Sequence, residues 1–250
     1  MAMTVLLTML VMGLILGFAG TGGSGFIIAL LITVFHVPVH AALGTSVAAM
    51  VFTMLSGTVS HLREKNVSLR AGAAVGLFGA AGAYAGTFAA RLIPADALVV
   101  WTASMLFLSG VLIWVRTKMP ASAETNHELP AGSRFWVLAA IAGLITGGLS
   151  GMFGIGSTPF IQLALMILFR MPLRLAVGTT MMVILPIAFF GGIGYFQAGY
   201  IDAALLVQVV AGTMIGSYIG AKFTGRAPRA LLRAAMIGTP IAGGLIMLLR

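Results

Sequence analysis

Eight apolar stretches follow one another along the chain, near residues 4–35, 42–61, 70–91, 97–115, 135–169, 175–195, 203–222 and 231–249. Each has about 18 residues or more, the length an α-helix needs to cover a hydrocarbon core about 30 Å thick. A chain that is 60% hydrophobic and only 8% charged has too few polar side chains to clothe a soluble domain of this size. The expected fold is therefore an all-α polytopic membrane protein. Met1-Ala2-Met3-Thr4 lacks the basic region of a secretory signal, so the first segment is expected to be retained. Cysteine is absent, which excludes disulfides and thiolate-held metals.

Two of the eight stretches are interrupted by glycines, and the interruptions are copies of one another. "GFAGTGGSGF" at 17–26 returns as "GMFGIGSTPF" at 151–160 when the sequence is shifted by 134 residues. Gly13, Gly17, Gly20, Gly22 and Phe26 fall on Gly147, Gly151, Gly154, Gly156 and Phe160, and Pro38, Gly44 and Thr45 fall on Pro172, Gly178 and Thr179. Between Gly13 and Thr45, 12 of 33 positions are identical, and the match continues to Pro94 and Pro228. An internal repeat of this kind divides the chain into a first membrane repeat, 1–115, a polar linker, 116–134, and a second membrane repeat, 135–250.

The basic residues orient the halves. If every apolar stretch crosses once, Lys and Arg divide seven to seven between the two sides, against the rule that cytoplasmic loops carry the excess. If each glycine-broken stretch instead enters and leaves on one side, all but Arg91 and Arg250 share a face, a division of 12 to 2. Inverted repeats follow, each with a re-entrant or discontinuous first helix and three membrane helices, with both termini outside and the linker in the cytoplasm. Two extra short crossings per half give the same parity. The net charge of +9 is accounted for by this topology, and no nucleic-acid partner is expected.

Irregular backbone at membrane depth survives only where it is buried in protein or lines a wet cavity. Behind each glycine apex a short helix begins, and its first N–H groups lack intrahelical partners. Two such N-termini converging from opposite faces make an anion site. Its expected lining is Gly20, Gly22, Gly23 and Ser24 with Thr45 and Ser46 from the first half, and Gly154, Gly156, Ser157 and Thr158 with Thr179 and Thr180 from the second. The hydroxyl pairs Ser24/Thr158, Thr45/Thr179 and Ser46/Thr180 align across the repeat. Gly, Ser and Thr also serve plain helix packing, and "GAYAG" at 82–86 and "GTMIGSYIG" at 212–220 are read as packing faces, within the chain or in a homodimer.

All five acidic residues, Glu64, Asp96, Glu124, Glu128 and Asp202, fall in loops or at segment ends, which argues against a carboxylate proton relay. His61, with Tyr195 at the matching place in the second half, is the candidate for gating or a proton-linked step. No catalytic motif and no metal-ligand spacing is found, so neither enzymatic activity nor a cofactor is expected.

The duplicated "GFAGTGGSGFIIAL" and "GGLSGMFGIGSTPFIQL", each followed by a proline and then "ALGTS" or "AVGTT", resemble the TauE/SafE sulfite exporter family over essentially the whole chain. The resemblance implies a bacterial inner-membrane transporter of sulfite, sulfoacetate or other small sulfur-containing anions, usually taken to be exported. Members commonly carry further glycines and then a proline after the G-x-G. This chain has Phe26-Ile27-Ile28 in the first half and Ser157-Thr158-Pro159 in the second, departures that fall where the ligand is expected. The combined reading is a secondary transporter exporting sulfite or an organosulfonate by alternating access. An importer or channel of the same architecture, or a membrane anion sensor or scaffold, are the alternatives.

Overall fold

The computed structural model describes residues 2–19, 24–118, 129–154, 157–224 and 229–248, and these form ten α-helices. The first half contains α1 (Ala2–Ala19), α2 (Ser24–Thr33), α3 (Val39–Arg63), α4 (Leu69–Leu92) and α5 (Ala95–Lys118). The second contains α6 (Gly132–Phe153), α7 (Thr158–Leu168), α8 (Leu173–Gln197), α9 (Ala203–Thr224) and α10 (Arg229–Leu248). Six of them, α3, α4, α5, α6, α8 and α9, are long and apolar enough to cross a membrane. The two glycine-broken stretches each yield a longer helix and a short one. With 10 residues in α2 and 11 in α7, the short pieces reach only about 15 Å, half the hydrocarbon thickness.

The repeat extends to the backbone torsions. His36 and Arg170, 134 residues apart, both take left-handed φ of 53°, and Lys65 (58°) is matched by Gly199 (73°). These residues end helices. After α2 the Val37 N–H donates to Leu31 O at 2.9 Å, and after α7 the Met171 N–H donates to Leu165 O at 3.1 Å, the same bond six residues back in each half. The Asn66 N–H to His61 O bond after α3 is repeated by Tyr200 to Tyr195 after α8, at 3.0 and 3.1 Å. Pro38 and Pro172, both extended (ψ 140° and 152°), then open α3 and α8. A proline there has no N–H to leave unpaired.

Glycines set how the helices pack. A Cβ at Gly44, near the start of α3, would stand 3.1 Å from Tyr195 Cβ and 2.7 Å from Tyr200 O, near the end of α8. A Cβ at Gly178, near the start of α8, would meet the Asn66 carbonyl and stand 3.2 Å from His61 Cβ, at the end of α3. Gly57 lies against Met181, and Gly191 against Val47. The two equivalent helices therefore run antiparallel along their whole length, and each contact recurs with the halves exchanged.

The same exchange joins the outer helices. Gly147 of α6 seats on the Gly79 carbonyl of α4, and Gly13 of α1 on the Thr213 carbonyl of α9, where a Cβ would come within 2.7 Å. Gly82 and Gly86 face Leu144, Gly148 and Met152, while Gly212 and Gly216 face Leu6, Leu10 and Leu14. Both small-residue stripes expected as packing faces are thus used within the chain, where missing side chains let backbones touch. Each half lends its third long helix, α4 or α9, to the broken helix of the other. Two apolar cores result, one around Met9, Ile28, Leu31, Leu43 and Val209, the other around Phe135, Ile161, Leu165, Val75 and Ile184.

Candidate anion-binding site

The second break shows how such a helix interruption is built. At the end of α6, Gly154 takes φ 65° and its N–H donates to Ser150 O at 2.8 Å, an αL cap that favours glycine. Ser157 follows in the left-handed region at φ 43°, an unusual place for a residue with a Cβ, and α7 starts at once with Thr158 and Pro159. Stopping α6 leaves its last carbonyls without intrahelical donors. The buried Tyr195 of α8 meets one of them, donating its hydroxyl to Gly151 O at 2.8 Å. Tyr195, expected as a gating or proton-linked residue, is in this structure the cap of the broken helix.

This break meets the first half directly. A Cβ on Gly154 would stand 2.5 Å from Leu43 Cδ2 of α3 and 3.2 Å from Ile28 Cδ1 of α2. Ile28 lies one turn beyond Ser24, and Leu43 two residues before Thr45, so the interruption of α6 sits against the elements that carry the first half's hydroxyls. Ser24 is itself the first residue of α2, as Thr158 is of α7. Gly20, Gly22, Gly23 and Gly156 lie outside the described residues.

The expected hydroxyls divide into two groups. Ser24, Thr45, Ser46 and Thr158 are each at most 1% exposed, and among the described residues none of their hydroxyl oxygens has a hydrogen-bond partner. Thr179 and Thr180, equally buried, are engaged: the Ser68 N–H donates to Thr179 Oγ1 at 3.0 Å, and Thr180 donates to Ala176 O at 2.7 Å. Thr179 thereby serves the N-terminus of α4, where Ser68 makes no side-chain cap of its own. At the equivalent end of α9 the Asp202 carboxylate accepts the N–H groups of Ala204 and Leu205 at 2.9 and 3.1 Å, and Thr45 has no such duty. Ser157 is buried at the break. His61 packs against Gly178, and its Nδ1 is buried without a partner among the described residues.

A buried hydroxyl without a partner costs roughly 1–3 kcal/mol, so natural interiors hold few of them, and those usually have a reason. Ser24 and Thr158 open α2 and α7, whose N-termini offer positive dipole ends, while Thr45 and Ser46 lie in the second turn of α3. Among the described residues no Lys, Arg, Asp or Glu is fully buried, so the buried polar groups of Ser24, Thr45, Ser46 and Thr158 are neutral hydroxyls. Such a donor set suits an anion. Sequence reasoning passed over Gln162, 4% exposed, whose Nε2 also lacks a partner among the described residues. The signal was available: it is a lone amide inside the apolar run of α7, one turn after Thr158.

Comparison with known proteins adds independent evidence. The family profile described as Sulfite exporter TauE/SafE matches residues 5–247. The chain is 49% identical to the probable membrane transporter protein YdhB of Bacillus subtilis, over 98% of this chain and all of that one. Identity is 26% to the probable membrane transporter protein YunE of the same organism, over 73% of this chain and 71% of the relative. It is 25% to the probable membrane transporter protein MJ0441 of Methanocaldococcus jannaschii, over 96% and 94%. No solved structure gives a significant match.

Proposed function

Because the chain belongs to the TauE/SafE sulfite exporter family, whose members here are named membrane transporters, we propose that it exports sulfite or a small organosulfonate across a bacterial inner membrane by alternating access. The observation that carries this reading is a set of four buried hydroxyls with no partner among the described residues, Ser24 and Thr158 at the heads of α2 and α7 and Thr45 and Ser46 within α3. An anion there accepts hydrogen bonds that otherwise go unmade. The donors are neutral, so binding rests on oriented dipoles and stays weak enough to reverse at each face.

Two halves whose equivalent helices run antiparallel suit a transporter that opens to either side in turn, the halves exchanging roles. In the membrane they form inverted repeats, 1–115 and 135–250, joined by a cytoplasmic linker at 116–134, with both termini periplasmic. An inside-negative potential drives a monoanion outward with about 2.3 kcal/mol per 100 mV, without a coupled proton. The absence of acidic residues from mid-membrane positions of the sequence agrees with that. A homodimer, on this reading, uses a face other than the glycine stripes at 82–86 and 212–220, which are occupied within the chain.

The experiment is flux of labelled sulfite, and in parallel of methanesulfonate, from proteoliposomes holding the purified protein under an imposed potential. Saturable flux that grows with the potential supports the reading. Potential-independent flux of the charged substrate refutes the energetic part, and no flux of either anion in folded protein refutes the substrate.

A further inference from the structure

We infer that Gln162 is a ligand-binding residue of the anion site, adding from the second half an amide donor beside the Thr158 hydroxyl. The inference rests on the functional reading above. The repeat sets Thr45 and Ser46 against Thr179 and Thr180, which would give a symmetric bed of hydroxyls. The structure breaks that symmetry, since Thr179 accepts the Ser68 N–H and Thr180 donates to Ala176 O. On the second half's side the buried side-chain atoms with no hydrogen-bond partner among the described residues are Thr158 Oγ1 and, four residues on, Gln162 Nε2. Residues at i and i+4 share a helix face, so the hydroxyl and the amide stand one above the other on α7.

The position has a counterpart that shows what packing alone puts there. Shifting by 134 residues carries Gln162 onto Ile28, one turn after Ser24 on α2, fully buried and in contact with the second break at Gly154. At the matched place of the first half an aliphatic side chain fills the position. Gln162 instead holds a primary amide at 4% exposure with Nε2 unpartnered among the described residues. A buried amide nitrogen without an acceptor is a cost to the empty protein, and a bound oxyanion removes it by accepting both N–H groups.

Gln162→Leu and the unbranched Gln162→Met test this by two readouts, melting of the purified protein without anion and its rise on titration with sulfite and with methanesulfonate. The inference predicts anion-free melting at or above the wild-type temperature, with anion affinity reduced about 10- to 100-fold, the loss of a hydrogen bond to a charged group. Wild-type affinity in either folded variant overturns it. Lower anion-free melting in both variants also overturns it, because Gln162 then serves the fold. If the wild type responds to neither anion, the functional reading has failed and the inference falls with it, whereas a responding wild type with equally responsive variants removes the inference alone.

Discussion

Tyr195→Phe isolates one hydroxyl that organises the broken helix. Gly151 lies in the last turn of α6, which ends at Phe153, so the donor its carbonyl would normally find four residues on falls beyond the helix end. Tyr195, fully buried, is a donor to that carbonyl at 2.8 Å. Phenylalanine keeps the ring and its packing and removes only the donor. Stranding a buried carbonyl costs roughly 1–3 kcal/mol in proteins generally. Measured interhelical hydrogen bonds in membranes average only about 0.6 and reach about 1.7 kcal/mol, because unfolded helices in lipid find other partners. A carbonyl fixed at a helix break has fewer alternatives than one on a mobile side chain, which places the expected loss near the upper end, about 1–2 kcal/mol. For a chain of this size that corresponds to a melting point lower by roughly 2–8 °C. Thermal unfolding in detergent reads it, with Tyr195→Ala as a larger control that also removes the ring, at about 3–5 kcal/mol. If Tyr195→Phe melts with the wild type and binds anion equally well, the hydroxyl does not organise the break and the reasoning is refuted.

Three further predictions concern the matched threonines, the glycine packing and the topology. Thr179→Val loses the acceptor for the Ser68 N–H and is expected to cost about 1 kcal/mol of stability. Thr45→Val removes an unpartnered hydroxyl, so stability is expected to hold or rise while anion affinity falls about tenfold; equal behaviour of the two variants in melting and titration would count against the division. Gly147→Ala drives a methyl into the Gly79 backbone and should destabilise by about 1–3 kcal/mol, whereas Gly148→Ala, whose nearest neighbour is 3.8 Å away, should be tolerated. Because the chain has no cysteine, Lys65→Cys and Asp96→Cys can be labelled singly with an impermeant thiol reagent in cells. The expected topology exposes Asp96→Cys outside and hides Lys65→Cys inside, and labelling of both from one side would contradict it.

Much of the architecture was legible in the sequence because lipid imposes simple rules. Apolar length marked the long helices, and Gly154 marked the end of α6, while the glycines at 20, 22, 23 and 156 lie outside the described residues. Prolines 38 and 172 announced the starts of α3 and α8. The shift of 134 residues reappears in the torsions of His36 and Arg170, and of Lys65 and Gly199. The sequence did not tell which long helix each broken helix packs on, since Gly13, Gly82, Gly147 and Gly216 all advertise close approach without naming a partner. Nor could it tell apart Thr45 and Thr179, identical residues at matched places. The two differ in partner, since Thr179 accepts the Ser68 N–H while Thr45 Oγ1 has no partner among the described residues. Gln162 was missed because attention to matched pairs hides a residue whose counterpart, Ile28, is apolar.

The most direct test of the central claim is potential-driven flux of labelled sulfite and methanesulfonate through wild-type protein and a Ser24→Ala, Thr158→Val double variant, compared in the same proteoliposomes. Both changes delete unpartnered buried hydroxyls at the heads of α2 and α7, so the folded protein should be no less stable. The account predicts saturable flux in the wild type and a half-saturating concentration raised at least tenfold in the double variant. Flux with an unchanged half-saturating concentration would contradict an anion site built from those hydroxyls.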